Sequence, residues 1–432
     1  MLATEPLAAM HRANGLRVRV VNVQEIYDLF SDGSLSADAI RSYLAYAYSN
    51  YQAPAPTYVL LVGDGSINFR NYPLENVTLR SNLIPPFLGG FDAWGGASIS
   101  DNVFVRVQGN DLLGEMIVSR LPVNDASQTS TVVNKILNYP LTFPQNRALN
   151  TLWIADNPDN DNPVYGTQFH MATEETLAPL QPQFQVDRVY LCVPQPNGPN
   201  SCPADPWIYT SVADARAAVV NKWTQGHLLV HFTGHGSYTT WAHEQLFRVY
   251  WIDQLFNETA LPFLLVSSCT NGYFASERWD GIDEGLLRAA GRGTIGGFTG
   301  VTFDTLPPQT HLLTNFMEAV MQDGITQPGA AATVARARTY AALPFPENER
   351  TAVGHGLTGD PAMALIEPDA CAHGDIDCSG LIDIVDVQLV AGAWNSVAWM
   401  PGYNPRADLV RDGRIDINDI MAVVNLWQTP VP

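Results

Sequence analysis

Lysine is almost missing from this chain. Lys135 and Lys222 stand against 21 arginines and 43 acidic residues, for a net charge of −20. Nothing supplies a basic face for phosphates, so no nucleic acid partner is expected. Long apolar runs are missing too. None approaches the roughly 20 residues that a helix needs to cross a bilayer, so no membrane span is expected. The opening Met1-Leu2-Ala3-Thr4-Glu5-Pro6 has neither a basic n-region nor an apolar h-region, and no signal peptide is visible. Cysteine is scarce. Cys192 and Cys202 bracket a Pro/Gly/Asn loop, and Cys371 and Cys378 bracket a shorter one. Both spacings can close small disulfide loops, which implies an oxidising compartment. Cys269 is left over, a buried core thiol on composition alone or a free reactive one by cysteine arithmetic.

What is there has the composition of a soluble globular protein. A chain of 432 residues is long for one core, so two or three domains are expected. The acid excess suits divalent cations, and equally a secreted or salt-tolerant surface.

Two short apolar runs each break into a small polar motif. Leu228–Phe232 is followed by Thr233-Gly234-His235-Gly236-Ser237, and Phe263–Ser267 by Ser268-Cys269-Thr270-Asn271-Gly272. Such runs read as buried parallel strands. The 34-residue spacing of His235 and Cys269 is about what a strand–crossover–strand unit needs. Both side chains then sit past the carboxyl ends of neighbouring strands, where open α/β sheets bind ligands. A thiol nucleophile and its base would occupy such positions.

Around these runs, strands are expected at Leu16–Val23, Tyr58–Val62, Thr151–Ala155, Val186–Tyr190 and Thr294–Phe298. Helices are expected at Glu5–Ala13, Ala37–Tyr51, Ala126–Tyr139 (closed by Pro140), Phe169–Leu180, Asp283–Ala290, Gln309–Met321 and Ala330–Ala342. Ser211 with Asp214 forms a capping box for a helix ending at Thr224. Residues 70–100 read as a long surface loop, and Asn102–Val107 with Glu115–Ser119 as a hairpin across Gly109-Asn110-Asp111. The Gly63-Asp64-Gly65-Ser66 turn has no lysine after it and is no phosphate loop. Strand–helix alternation predicts an α/β fold, a doubly wound and mostly parallel sheet with helices on both faces. The chain begins with a helix rather than a strand, so an amino-terminal strand is expected to lie upstream.

After residue 366 the composition changes. From Cys371 to Pro432 there are eight Asp and three Arg, with no Glu and no Lys. Asp375, Asp377, Ser379, Asp383 and Asp386 fall at positions 1, 3, 5, 9 and 12 of a loop with Gly380 at position 6. Asp408, Asp412, Asp416 and Asp419 repeat this 33 residues later, with Val410 at position 3. Calcium takes six to eight oxygens, and this spacing wraps a loop round one ion. Each loop enters an apolar helical stretch, Val387–Trp394 and Ile420–Trp427. The second loop lacks one ligand and is expected to bind more weakly.

This tail resembles a dockerin, the duplicated calcium-loop-and-helix module, in which Asp stands at the twelfth position as Asp386 and Asp419 do. The resemblance implies a small all-α domain folded by Ca2+ and a cohesin-like or cell-surface partner. Residues 5 to 366 resemble the gingipain family of cysteine peptidases, which have a caspase-like fold. The matching pieces are Asn14-Gly15-Leu16-Arg17-Val18, Tyr58–Asp64, Ser100-Asp101-Asn102-Val103-Phe104, Gly109-Asn110-Asp111, Ser119-Arg120, and Thr233–Ser237 with Trp241 four residues on. Cys269-Thr270-Asn271-Gly272-Tyr273-Phe274 and Gly359-Asp360-Pro361 complete the set. The expected layout is a caspase-like subdomain at 1–148, a catalytic subdomain at 149–366, a linker at 367–374 and the calcium module at 375–432.

On this reading Cys269 attacks the peptide carbonyl. His235 serves as base and then protonates the leaving amine, and the Gly236 and Cys269 amides form the oxyanion hole. No cofactor takes part in catalysis. His231 points to another face and is a poor rival. The family places an acid after the strand ending at Ala155, which leaves Asp156 or Asp159 to orient the imidazole, Asp156 leaving the strand directly. Arginine-specific members carry an acid in the segment matching Gly166–Phe169, and none occurs here. Their aromatic wall falls near Leu306, while Trp241, Phe303 and Asp304 could line a pocket. The expected function is an extracellular or surface-displayed cysteine endopeptidase acting on protein or peptide substrates. Its rivals are a non-catalytic scaffold, with Cys269 buried, and an acyl transferase using the same pair.

Overall fold

The computed structural model describes residues 2–70, 72–73, 82–92, 96–109, 111–142, 150–158, 168–180, 184–193, 202–258, 260–344, 347–365, 374–377, 381–397, 403–404, 407–410 and 414–427. Helices α1 (Glu5–Ala13), α2 (Val23–Phe30) and α3 (Ala37–Asn50) precede strand β1 (Tyr58–Val62). Ser36 starts α3 by accepting from the Ala39 amide at 3.2 Å. The strand expected at Leu16–Val23 makes no ladder. Asn22 ends that extended run by capping α2, its Oδ1 accepting from Gln24 N at 3.1 Å. Within 70–100, β2 (Leu88–Asp92) and β3 (Gly96–Ile99) form an antiparallel pair rather than only loop. The hairpin expected next is also corrected, with Asn110 outside the described residues. Residues 101–105 are a 3-10 turn, and β4 (Ile117–Leu121) pairs in parallel with β1. Alternation marks a strand but not its partner.

The chain continues through α4 (Ala126–Thr142), which runs past Pro140, to β5 (Asn150–Ala155), α5 (Gln168–Leu177), β6 (Gln185–Leu191), β7 (Ile208–Tyr209) and α6 (Val212–Thr224). Ser211 caps α6 by accepting from Asp214 N. Strand β8 (Leu229–Thr233) leads into a small antiparallel sheet of β9 (Gly236–Ser237), β10 (Thr240–Trp241) and β11 (Phe247–Arg248). Then come β12 (Phe263–Ser267), α7 (Ile282–Arg288), β13 (Gly296–Gly300), α8 (Leu306–Met321), α9 (Pro328–Ala342), α10 (Glu347–Gly354) and β14 (His355–Thr358).

Among the described residues, nine strands form one sheet in the order β1-β4-β14-β13-β12-β8-β5-β6-β7. Its named pairings are parallel except β13 with β14. Every residue of β8, β12 and β13 is buried, as strands covered on both faces must be. Side chains alternate between two cores. Trp153, Leu229, Phe263, Leu265 and Phe298 pack with Leu312 and Phe316 of α8 and with α9. Leu152, Ile154, Val230, Phe232, Leu264 and Val266 pack with Val219 and Trp223 of α6 and Leu286 of α7 on the other face. The two lysines serve this frame. Lys135 Nζ, buried, donates to the Leu286, Leu287, Ala289 and Arg292 carbonyls at 2.8–3.1 Å, closing the end of α7, and Lys222 pairs with Asp187.

In the tail, α11 (Ile384–Gly392) and α12 (Ile417–Asn425) carry a duplicated core. Ile376 and Leu409, Ile382 and Ile415, and Val390 and Val423 are buried together, each pair 33 residues apart. No helix among the described residues is long and apolar enough to cross a membrane.

Candidate active site

Register puts the predicted residues at one level. Thr233 of β8 lies beside Ala155 of β5 and Ser267 of β12. Asp156 is therefore one residue past its strand, and His235 and Cys269 are each two residues past theirs. Neighbouring strands stand about 4.8 Å apart, and both side chains face one cleft. That cleft, of about 850 Å³ with its mouth included, is lined by His235, Gly236, Ser237, Thr240, Ala242, His243, Gln245, Cys269 and Phe303. Cys269 is half-buried and a thiol rather than a disulfide partner, and its Sγ lies 3.6 Å from the Asp304 carbonyl. Cys192 and Cys202 form the expected disulfide, while Cys371 and Cys378 lie outside the described residues. His231 is a poor base by environment. It is fully buried beside Trp153 at 4.8 Å, and burial pushes its imidazole down to about 3.

The glycines of the histidine motif permit close approach. A Cβ on Gly234 would lie 2.2 Å from Asp156 Cβ, and one on Gly236 would lie 2.4 Å from Ser268 Oγ. Asp156, 1% exposed, uses the space so opened. Its Oδ2 accepts from the His235 main-chain amide at 2.9 Å and its Oδ1 from Asn157 N at 2.7 Å. Asp156 thus fixes the backbone that carries His235; Asp159 and Gly166 lie outside the described residues. The imidazole itself sits against rings. Phe169 meets it edge-on at 5.2 Å and His243 face-on at 4.8 Å.

On the cysteine side, Thr270 adopts φ +53°, a strained value for a β-branched residue. The turn is held by Gly272 N donating to Gly300 O at 2.8 Å and by the buried Asn271 side chain donating to the Ser237 carbonyl. Asn271 therefore ties the cysteine loop to the histidine loop. Below lies Asp283, whose carboxyl accepts from Thr299 and Thr358 and is pushed up to about 6 by burial.

Two pocket expectations change. Trp241 is fully buried, stacked on Phe232 at 4.5 Å, and anchors β10 rather than lining the cleft. The Asp304 carboxylate accepts from Thr351 and from Thr305 N. Leu306 begins α8 and packs on the core. Phe303 does line the cleft.

Sequence reasoning gave no role to Asp101 and Arg120, which meet as a buried fork. Arg120 Nε and Nη2 donate to the two Asp101 oxygens at 2.7 and 2.8 Å, and its guanidinium lies 4.1 Å from the centre of the Phe274 ring. A buried Arg obliges a nearby acid, which was the available signal. In the tail, carboxylate oxygens of Asp375, Asp377 and Asp386 lie within 4.8 Å of one another. Asp383 and Asp416 cap α11 and α12, and Asp419 accepts from Val410 N and Asp416 N. Asp408 accepts from Tyr403 at 2.5 Å. Ser379 and Asp412 lie outside the described residues.

Gingipain R2 of Porphyromonas gingivalis is 25% identical over 297 residues, 68% of this chain and 33% of that protein. A gingipain R1 of Porphyromonas gingivalis has the same identity over 25% of its length. This chain thus spans about a third or less of these curated relatives. The crystal structure of the Arg-specific cysteine proteinase gingipain R superimposes with a TM-score of 0.61 at 19% identity, covering 78% of this chain and 70% of that one. The complex of Porphyromonas gingivalis RgpB pro- and mature domains gives 0.63 at 20% identity, covering 81% and 74%. The caspase-like arrangement expected from the sequence is therefore the fold. The family model for peptidase family C25 matches residues 1–366, and the chain belongs to that family.

Proposed function

We propose that the protein is a cysteine endopeptidase in which Cys269 is the nucleophile and His235 the base. The observation that carries this reading is the shared register. A thiol and an imidazole each stand two residues past adjacent parallel strands and line one cleft. Cys269 attacks the scissile carbonyl, His235 takes the thiol proton and returns it to the leaving amine, and water then resolves the thioester. The amides of Gly236 and Cys269 stabilise the oxyanion. Asp156 serves the pair by holding the His235 main chain. Among the described residues the cleft lining holds no carboxylate, so the arginine specificity of gingipain R is not carried over to this chain. The disulfide supports an extracellular or surface location.

Cys269→Ala is expected to lower kcat on a fluorogenic peptide panel varied at the residue before the cleaved bond by roughly 10⁴-fold or more. Cleavage by the variant at the wild-type rate would remove the peptidase assignment and leave a scaffold.

The second part of the reading divides the chain into a catalytic unit up to 366, a linker at 367–374 and a calcium module at 375–432. The clustered carboxylates of Asp375, Asp377 and Asp386 suit a hard cation. Asp383 and Ser379 complete the first loop, and Asp408, Asp412, Asp416 and Asp419 the second. Bound calcium would neutralise each acidic loop and lock its helix in place. Exposed Ile384, Val385 and Leu389 on α11, with Ile417, Met421 and Val424 on α12, support docking of a cohesin-like or cell-surface partner. Calorimetric titration of the full chain with Ca2+ is expected to resolve two events with Kd values roughly tenfold apart, because the second loop has one ligand fewer. Asp375→Ala should remove the tighter event and Asp408→Ala the weaker. A single event insensitive to both variants contradicts the calcium reading.

A further inference from the structure

We propose that His243 is a positioning residue for His235: its ring, stacked face-on, sets the rotation of the imidazole toward Cys269. This rests on the reading of His235 and Cys269 as base and nucleophile. The two imidazoles lie 4.8 Å apart with their planes 12° from parallel, and the Phe169 edge meets His235 at 77°. A face-on and an edge-on neighbour together restrict the ring to one plane. Asp156 holds the main-chain amide of His235, and the two rings act on the side chain beyond it.

The way His243 is displayed supports the assignment. It is exposed on the turn between β10 and β11, so core packing does not account for its placement. Ala242 and Gln245, on either side of it, adopt φ +61° and +60°, left-handed values that non-glycine residues seldom hold without a reason. Arg216 of α6 clamps the turn, donating from Nε to the Gln245 carbonyl at 2.9 Å and from Nη2 to the Glu244 carbonyl. Asn157, next to Asp156, donates to Glu244 Oε1 at 3.3 Å. Trp241 anchors the same strand in the core. Strain and clamps converge on a residue whose ring rests on the proposed base and lines the same cleft. A flat ring in this position suffices, because its π-face also favours the imidazolium that forms during the reaction.

The test uses the full chain with two substitutions and two readouts, peptide cleavage and the iodoacetamide alkylation rate of Cys269. His243→Ala should lower kcat and the alkylation rate about 10- to 100-fold. Its KM and Tm should stay near the wild-type values. His243→Phe, which keeps the stacked face, should stay within about threefold of wild type in both readouts. Wild-type behaviour of His243→Ala overturns the inference. So does a His243→Phe variant as slow as His243→Ala, or a loss confined to KM, which would make His243 a substrate wall. Failure of the underlying reading looks different. Wild-type Cys269 would then alkylate no faster than a free thiol, and His235→Ala would leave that rate unchanged.

Discussion

Arg120→Met is expected to destabilise the sheet domain by about 3–5 kcal/mol, since it leaves a buried carboxylate without its partner. Arg120 is 1% exposed and Asp101 9%. The guanidinium saturates its surroundings. Besides the two bonds to Asp101, Nη1 donates to the Gly63 carbonyl at 2.7 Å and the Ile84 carbonyl at 2.9 Å. Its position over Phe274 joins this network to the end of the cysteine segment, so peptide cleavage should fall with stability. Arg120→Lys should recover little, because a point charge cannot reproduce the planar fork. Arg120→Met combined with Asp101→Leu should recover part of the loss, because the orphaned charge is then gone. Urea unfolding of the four proteins decides the matter. A loss below about 1 kcal/mol for Arg120→Met would mean that water reaches Asp101 and the network is not closed.

Gly236→Ala is expected to cost about 10²–10³ in kcat, the effect of losing one oxyanion donor, while Tm stays close to the wild-type value. The new methyl would lie 2.4 Å from Ser268 Oγ and 2.9 Å from Asn271 Nδ2. Neither distance can stand, so β9 must move away from the cysteine turn. The Asn271 bond to the Ser237 carbonyl sits at that seam and would stretch or break. Gly236 and Ser237 of β9 are only half-buried and add no side chain to the core, which is why folding should survive. Steady-state kinetics and thermal unfolding of the purified variant check both halves. Wild-type kcat would show that the Gly236 amide has no part in catalysis.

The positions of the histidine and the cysteine were legible because fully buried parallel strands read as apolar runs, and β8 and β12 are two such runs. Strand β13 is harder to read. Gly296-Gly297-Phe298-Thr299-Gly300 has little apolar signal, and it begins two residues later than expected. Glycine is needed there by its neighbours: a Cβ on Gly296 would meet the Thr358 carbonyl at 2.5 Å, and one on Gly297 the Asp283 carboxylate at 2.8 Å. Pairing is illegible for β4, whose partners β1 and β14 lie far away in sequence. Strand β14 follows α10 in a stretch with no clear strand period, so local pattern does not announce it. Asp156 is visible as a residue leaving a strand. Its bond to the His235 main chain depends on the register of three strands and on the missing side chain of Gly234, and no local pattern encodes that. His243 lies two residues beyond Trp241, where the histidine motif ends, and only the fold of the turn brings its ring to His235.

The proposed reaction passes through a thioacyl intermediate on Cys269. Its most direct test is an acid-quenched reaction of the full chain with a peptide ester, followed by mass spectrometry of the digested protein. The acyl group should appear on the fragment containing Cys269 within the first turnover. It should be absent from Cys269→Ser and strongly reduced in His235→Ala. Product release with Cys269 unmodified, or an acyl group on another residue, would contradict the account.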